Sequence, residues 1–243
     1  MAMVLIAGGA TGIGRAALDM FLAAGDHVPL ADIDATPGQA ACHATAPGRA
    51  VFCHADLSGA DAARATVAAI LAAFGGLDTL VVNAAVLHQT PSAGWTEADR
   101  ARSLAVIPSA PFFLVQAAAP ALRRSGNASV ILTSSTGALR GHARMHAFHA
   151  TETALPGLTR SLADELSPNG IRVNENCPGL STPRSTPRSG PRKMTLPRPP
   201  QRLPARQQGT PADVAGVIVF LASPAAAYVA GAQIVVDGGY SAV

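Results

Sequence analysis

The feature that most constrains the fold is the segment AGGATGIG, residues 7–14, which follows a short apolar run near the N-terminus. The amphipathic stretch after it completes the pattern of a strand, a tight turn and a helix. Gly8, Gly12 and Gly14 would let the backbone turn sharply and approach a pyrophosphate, which then meets N–H groups at the start of the helix. A plain turn is the alternative, but this strand–turn–helix context favours a dinucleotide site.

Apolar runs alternate with amphipathic stretches along the rest of the chain. This alternation predicts an α/β fold, a doubly wound parallel sheet with helices on both faces, and the continuously apolar strands are typical of burial on both sides. A length of 243 residues fits one domain spanning 1–243. The predicted strands are MVLIAG, HVPLAD, AVFCHAD, LDTLVVNAA, ASVILTSS, IRVNENCPG and AQIVVDGG. We predict a single long helix over residues 101–126, disturbed near Pro108 and Pro111.

One segment, residues 181–208, breaks this alternation because it is rich in proline and arginine. Proline at this density prevents a regular helix or strand, so a mobile surface loop is the favoured interpretation. A basic lid that attracts an anionic ligand is the sharper alternative. A nucleic-acid arm is the least favoured, because the segment has no aromatic residue and the remainder of the chain is net acidic.

The cysteines and the apolar runs indicate where the protein works. Three widely spaced cysteines, Cys42, Cys53 and Cys177, suggest reduced thiols and a cytoplasmic protein, and they lack the spacing of a metal site. The apolar N-terminus has no basic flank and leads directly into the glycine motif, so we interpret it as a strand and not as a signal peptide. Uninterrupted apolar runs are too short for a membrane span.

Polar residues follow several predicted strands, where open α/β sheets bind ligands. Asp32 ends the second strand, and an acid there would accept hydrogen bonds from the ribose hydroxyls of a dinucleotide. The same carboxylate would repel a 2′-phosphate, which favours NAD over NADP. Asp56 with Leu57 follows the third strand, and Asn83 follows the fourth.

With these motifs in place, the chain resembles the short-chain dehydrogenase/reductase family over nearly its whole length. The matching segments are GGATGIG, AD at 31–32, ADL at 55–57, LVVNAA at 80–85, SS at 134–135, GIRVNENCPG at 170–179, GTPADVAGVIVFLAS at 209–223 and GAQIVVDGGY at 231–240. The resemblance implies an oxidoreductase acting on a carbonyl or alcohol with NAD. It also implies a homodimer or homotetramer that pairs through the two long helices.

The resemblance assigns cofactor roles to positions along the cleft. It implies that Gly8, Gly12, Ile13 and Gly14 hold the pyrophosphate, Asp32 the ribose, Asp56 and Leu57 the adenine, and that Asn83 and Ala85 lie near a sugar. Pro178 and Gly179 would flank the nicotinamide. Ala7 and Ala85 stand where the family commonly has Thr and Gly.

Three of the four catalytic positions of the family are replaced here. Ser135 matches the family serine, whereas Phe148 stands at the tyrosine, Glu152 at the lysine and Ile107 at the asparagine. Phe148 has no O–H and cannot pass a proton, and we expect Glu152 to bring a negative charge in place of a cation. We therefore predict a pseudoenzyme in which hydride transfer is lost or strongly reduced.

Two alternatives remain open for the chemistry. A substitute acid such as His146 or His149 could support an active NAD-dependent oxidoreductase, although residues 142–147 should precede the family's helix. The same residues, or Glu152, could serve a non-redox isomerase or dehydratase as a base. No metal is expected, and neither is a membrane partner.

Overall fold

The computed structural model describes residues 1–43, 46–181 and 203–243. Seven strands and seven α-helices follow one another along these parts of the chain. They are β1 Val4–Ala7, α1 Gly12–Ala23, β2 His27–Asp32, α2 Ala35–Cys42, β3 Arg49–His54, α3 Ala60–Phe74, β4 Thr79–Val82, α4 Glu97–Leu104, α5 Ala110–Leu122, β5 Ala128–Thr133, α6 His146–Leu166, β6 Ile171–Pro178, α7 Pro211–Ala222 and β7 Gln233–Val236.

The strands form one parallel sheet in the order β3-β2-β1-β4-β5-β6-β7. Helices cover both faces, with α3, α5 and α6 packed on one apolar cluster and α1 and α7 on the other. This is the predicted single-domain Rossmann fold with a doubly wound sheet. The strand order reverses between β1 and β4, and a reversal of this kind opens a crevice at the carboxyl ends of the strands.

The predicted helix over 101–126 is divided into three parts. Residues Ala105–Ser109 form one π-helical turn that contains Pro108, between α4 and α5. A proline cannot donate a backbone hydrogen bond, so the disturbance occurs where the sequence predicted it. Thr96 and Asp99 form a capping box at the start of α4, where the Asp99 N–H donates to Thr96 Oγ1.

The helical stretch Glu97–Leu122 is long and apolar enough by composition to cross a membrane, although the sequence has no long uninterrupted apolar run. Half of its most apolar window is buried inside the protein. Leu114, Val115 and Ala118 of α5 are buried in the same cluster as Val67 and Ile70 of α3. The buried half of this stretch therefore belongs to the core of the fold.

Candidate active site

A cleft with a volume of about 510 Å³ lies over the carboxyl ends of the central strands. At one end it is lined by residues that follow β2 and β3, and at the other by residues of β5, α6 and β6. The glycine turn after β1 and the segment after β4 lie between them. Of the residues predicted for the site, the lining includes Gly8, Gly12, Ile13, Asp32, Asp56, Leu57, Asn83, Ala85, Ser135, Phe148, Glu152, Pro178 and Gly179.

The glycine turn between β1 and α1 leaves no room for side chains at two positions. Gly8 has φ of +84°, and a Cβ atom built on it would lie 2.4 Å from the Ala84 nitrogen. Gly14 does not line the cleft, but a Cβ there would lie 2.2 Å from the Gly8 carbonyl oxygen. The turn therefore requires glycine for conformation and for close packing. It places the cleft against the start of α1, where backbone N–H groups favour an anion.

Asn83 fixes the glycine turn from the neighbouring strand. Its side-chain Nδ2 donates to the Gly8 carbonyl at 2.8 Å, and its backbone N–H donates to the Ala7 carbonyl at 2.8 Å. The carboxyl end of β4 and the turn after β1 are thus held together at the point where the strand order reverses.

Asp32 ends β2 and lines the cleft while bonding to the backbone on both sides. Its Oδ2 accepts from the Ala10 N–H at 2.9 Å, and its Oδ1 accepts from the Asp34 N–H at 3.0 Å. A carboxylate has about four acceptor sites, so two bonds leave capacity for ligand hydroxyls. The glycine cradle and this acid fit the pyrophosphate and the adenosine ribose of a dinucleotide.

Asp56 lies beyond Asp32 at the same end of the cleft. Its Oδ1 accepts from the Ser58 N–H at 3.1 Å, and hydrogen bonds from Ser58 hold the pKa of this carboxyl below its ordinary value. The charge of Arg102 acts in the same direction, and Arg102 also lines the cleft. Asp56 is therefore an anion at neutral pH.

Phe148 stands at the other end, beside the turn that follows Ser135. Ser135 Oγ accepts from the Gly137 N–H at 3.0 Å, and the Phe148 ring packs against Gly137. The ring is 9% exposed and presents only carbon and hydrogen to the cleft. Ser135 thus supplies the hydroxyl that matches the family serine, and among the residues that the structure describes no ionisable group stands in place of the phenol expected from the family.

Glu152 lies one turn further along α6 and is 1% exposed. Burial, and secondly the nearby charge of Glu175, raise the pKa of its carboxyl to about 8. At neutral pH Glu152 is therefore mostly protonated, which differs from the negative charge expected from sequence. Its Oε2 atom is buried and has no hydrogen-bond partner among the residues that the structure describes.

Glu175 is the functional candidate that sequence reasoning missed. It lies on β6 with no exposed surface, and its Oε1 accepts from the Ser134 hydroxyl and from Gln233 Nε2. Burial raises the pKa of this carboxyl as well. The signal was present in the sequence, because NEN is an unusual run in a strand buried on both faces.

Ile107 lies outside the cleft. It is 2% exposed in the π-helical turn and packs in the core, while its neighbour Val106 lines the cleft. The side chain at this position is therefore apolar and enclosed, and it offers no group that could hold a water molecule.

The histidines lie away from the cleft. His149 donates from Nδ1 to the Gly137 carbonyl at 2.8 Å, because its Nε2 accepts from the His142 N–H at 2.9 Å. Both ring nitrogens are therefore engaged in the local structure. His146 begins α6, which starts earlier than expected, and it contacts Ser92 Oγ at 3.0 Å in a separate pocket beside Trp95.

The predicted loop or lid, residues 181–208, is only partly within the described chain. Residues 182–202 lie outside the described residues. At the edges, Ser181 bridges to Gly209, and the Ala205 N–H donates to the Gly238 carbonyl at 3.0 Å.

Known proteins are similar to this chain over most of its length. A family model described as enoyl-(acyl carrier protein) reductase matches residues 8–241. The 3-alpha-(or 20-beta)-hydroxysteroid dehydrogenase of Mycobacterium bovis is 33% identical over 98% of this chain and 88% of its own length. The L-rhamnose 1-dehydrogenase (NAD(P)(+)) of Azotobacter vinelandii is 33% identical over 97% and 95%.

Solved structures are similar to this chain in fold as well. The structure of a short chain dehydrogenase/reductase family protein superposes on this chain with a TM-score of 0.85 and 32% identity, and the match covers 100% of this chain and 98% of that chain. The relatives named here are oxidoreductases, and the rhamnose enzyme is named for a nicotinamide cofactor. The chain belongs to the short-chain dehydrogenase/reductase family of oxidoreductases.

Proposed function

We propose that this protein binds NAD(H) in the cleft and that its hydride transfer between the cofactor and a carbonyl or alcohol is lost or strongly reduced. The observation that carries the proposal is the pair Phe148 and Glu152, which brings an inert ring and a buried, mostly neutral carboxyl to the catalytic end. General acid catalysis contributes typically ~10²–10⁴-fold, so its loss is severe.

The chain's own residues fit the cofactor at the other end of the cleft. The glycine turn and the start of α1 would hold the pyrophosphate, and Asp32 would accept from the ribose hydroxyls. When bound, NAD(H) supplies the hydride or its acceptor. Ser135 would contact a substrate oxygen without help from Phe148, which neither donates nor accepts a proton.

The preference for NAD over NADP rests on Asp32. Its carboxylate lines the cleft, and a 2′-phosphate beside it would meet a like charge. We expect Asp32→Ala to weaken NAD binding by about tenfold and to narrow the difference between NAD and NADP. A wild-type protein that binds NADP more tightly than NAD would contradict this part of the proposal.

The experiment that tests the whole proposal has two stages. Calorimetric titration with NAD and NADH establishes binding, and NADH consumption over a broad panel of carbonyl substrates then establishes turnover. Binding without turnover supports the proposal. Turnover at rates typical of dehydrogenases, roughly 1–10³ per second, would refute it.

A second candidate is non-redox proton transfer, such as isomerisation or dehydration. It is favoured by the raised pKa of Glu152, which is suited to exchanging a proton near neutral pH, and by its unpartnered Oε2. Activity that persists without added cofactor and disappears in Glu152→Gln would select this candidate. A histidine acid is less suited, because His149 is engaged at both nitrogens and His146 lines a separate pocket.

Members of this family commonly form oligomers, and we propose a homodimer or homotetramer for this chain. The three cysteines are free thiols in the structure, which fits a cytoplasmic protein. Sedimentation at several protein concentrations tests the oligomeric state, and localisation of the tagged protein tests whether it is cytoplasmic.

A further inference from the structure

Two carboxyl side chains are enclosed together between α6 and the sheet. Ile171 and Val173 of β6 belong to the core cluster under α6, whereas Arg172 bonds to the Leu221 carbonyl of α7 on the opposite face. Successive strand residues alternate between the faces, so Glu175 shares the α6 side with Val173. Glu152 is buried on α6, and the charge of Glu175 acts on its carboxyl.

The polar side chains around Glu152 and Glu175 are mostly uncharged or negatively charged. Ser134 and Gln233 donate to Glu175, and the Cys177 thiol stays neutral because burial raises its pKa to about 12. Asp237 adds a further negative charge near Cys177. Arg160 on α6 is the cation that acts on Glu175, and it does not line the cleft.

The only arginine lining the cleft within the described chain is Arg102, whose charge acts on Asp56 at the far end. A dinucleotide with one ribose at Asp32 and its phosphates at the glycine turn must extend its second half over β4, β5 and β6. The direction follows from the strand order, since β2 lies on one side of β1 and β4 on the other. The nicotinamide half therefore reaches the end of the cleft that Glu152 lines.

Building on the proposed NAD(H) binding, we propose that the carboxyl pair Glu152 and Glu175 makes this cleft select the oxidised dinucleotide over the reduced one. The oxidised nicotinamide is a pyridinium cation, whereas the reduced ring is neutral. A buried acid beside the ring attracts the cation once it ionises, and it gives no comparable attraction to the neutral ring. The protein is thereby a binder of oxidised NAD.

A proton is released when the oxidised form binds below about pH 8. The pKa of Glu152 in the free protein is about 8, so the carboxyl is protonated there and must lose its proton to oppose the cation. The affinity for oxidised NAD therefore rises with pH, by up to about tenfold per pH unit, and levels off above the pKa of the free protein. The affinity for NADH stays flat.

Calorimetric titration of the full chain with NAD and with NADH, at about pH 6.5 and about pH 8.5, tests this selection. At the higher pH we expect NAD to bind at least about tenfold more tightly than NADH, and at the lower pH we expect this preference to shrink by about tenfold. Repeating the lower-pH titration in two buffers with different ionisation enthalpies measures the released proton directly.

Glu152→Gln keeps the shape of the side chain but cannot ionise, and it should lose both the pH dependence and most of the preference. Glu165→Gln makes the same change on an exposed part of α6 and should behave as wild type. If Glu152→Gln does not fold, proton release by the wild type still decides the question. Equal affinities without proton release would overturn the selection while leaving NAD(H) binding intact, whereas failure to bind either form would overturn the proposed function itself.

Discussion

Phe148 and Glu152 lie one turn apart on α6, and both line the same end of the cleft. A phenol at the first position and an ammonium at the second would supply a proton donor and a cation that lowers its pKa. We expect Phe148→Tyr combined with Glu152→Lys to raise NADH-dependent carbonyl reduction by about 10²-fold or more over wild type.

The control for this restoration is Phe148→Leu with Glu152→Lys, which introduces the same cation without a hydroxyl. It should stay at the wild-type level in the same carbonyl panel. A restored variant that binds NADH yet reduces no carbonyl above wild type would show that the two positions do not limit the reaction.

The stability of the protein without cofactor should depend on pH through Glu152. Its pKa is about 8 in the folded chain and 4.5 as the ordinary value, so between these values the folded state holds a proton that the unfolded state has released. This contribution is complete below about pH 4.5, and the free energy of unfolding then falls by up to about 1.4 kcal/mol per pH unit until about pH 8.

Urea denaturation of wild type and Glu152→Gln at a series of pH values measures this effect. The difference between the two curves should shift in favour of the variant as pH rises and become constant above about pH 8. Parallel curves for the two proteins across this range would mean that Glu152 ionises at its ordinary pKa.

Ile107→Asn should destabilise the fold without reaching the cleft. Ile107 is 2% exposed in the core, so the change removes apolar contacts and buries an amide, and we expect a loss of about 2–4 kcal/mol in the free energy of unfolding. The same change at Ile33, which is 45% exposed, should cost less than about 1 kcal/mol. Denaturant titration compares the two variants, and equal costs would contradict the buried position of Ile107.

Gly8→Ala should abolish nucleotide binding and weaken the fold. The added Cβ would meet the backbone of Ala84, and φ of +84° is unfavourable for any side chain, so we expect a loss of at least about 2 kcal/mol. Gly216→Ala, on the exposed face of α7 with nothing within 4 Å, should stabilise the fold by about 0.5–1 kcal/mol. Thermal unfolding and NAD titration distinguish the two outcomes.

Removing the side chain of His149 or of His146 should affect protein stability differently, and neither change should affect NAD binding. His149→Ala removes bonds to Gly137 and to the His142 N–H, at a cost of about 1–3 kcal/mol. His146 is exposed and contacts Ser92 and Trp95, so its loss should cost under about 1 kcal/mol. Neither residue lines the cleft, so NAD affinity should be unchanged. Loss of an observed activity in His146→Ala alone would reinstate that histidine as the acid.

The sequence predicted the strands well because their apolar runs are continuous and their ends carry turn residues. The bounds of β2 agree with the structure, and the disturbance at Pro108 is confirmed. The short helix α2 was missed because it contains Pro37 and Gly38, both poor helix formers, and buries few residues. α6 begins at His146, although residues 142–147 were predicted to precede this helix. No side chain caps its first turn, so the sequence carries no capping signal for this start.

The charge of Glu152 could not be predicted from the residue type. Whether the Glu152 carboxyl is protonated depends on its burial and on the charge of Glu175. Glu152 lies on α6 and Glu175 on β6, and only the packing of this helix on this strand brings the two residues near each other. The position of Ile107 was similarly hidden, because the π-helical turn rotates the helix relative to a regular α-helical count.

The bond from Asn83 to the carbonyl of Gly8 joins residues 75 positions apart. During synthesis, β1 and β2 leave the ribosome well before β4, so one edge of β1 stays unpaired until β4 inserts beside it. The glycine turn between β1 and α1 therefore gains this hydrogen bond only at that insertion. A nascent chain that stops before β4 would expose one edge of a central strand to aggregation.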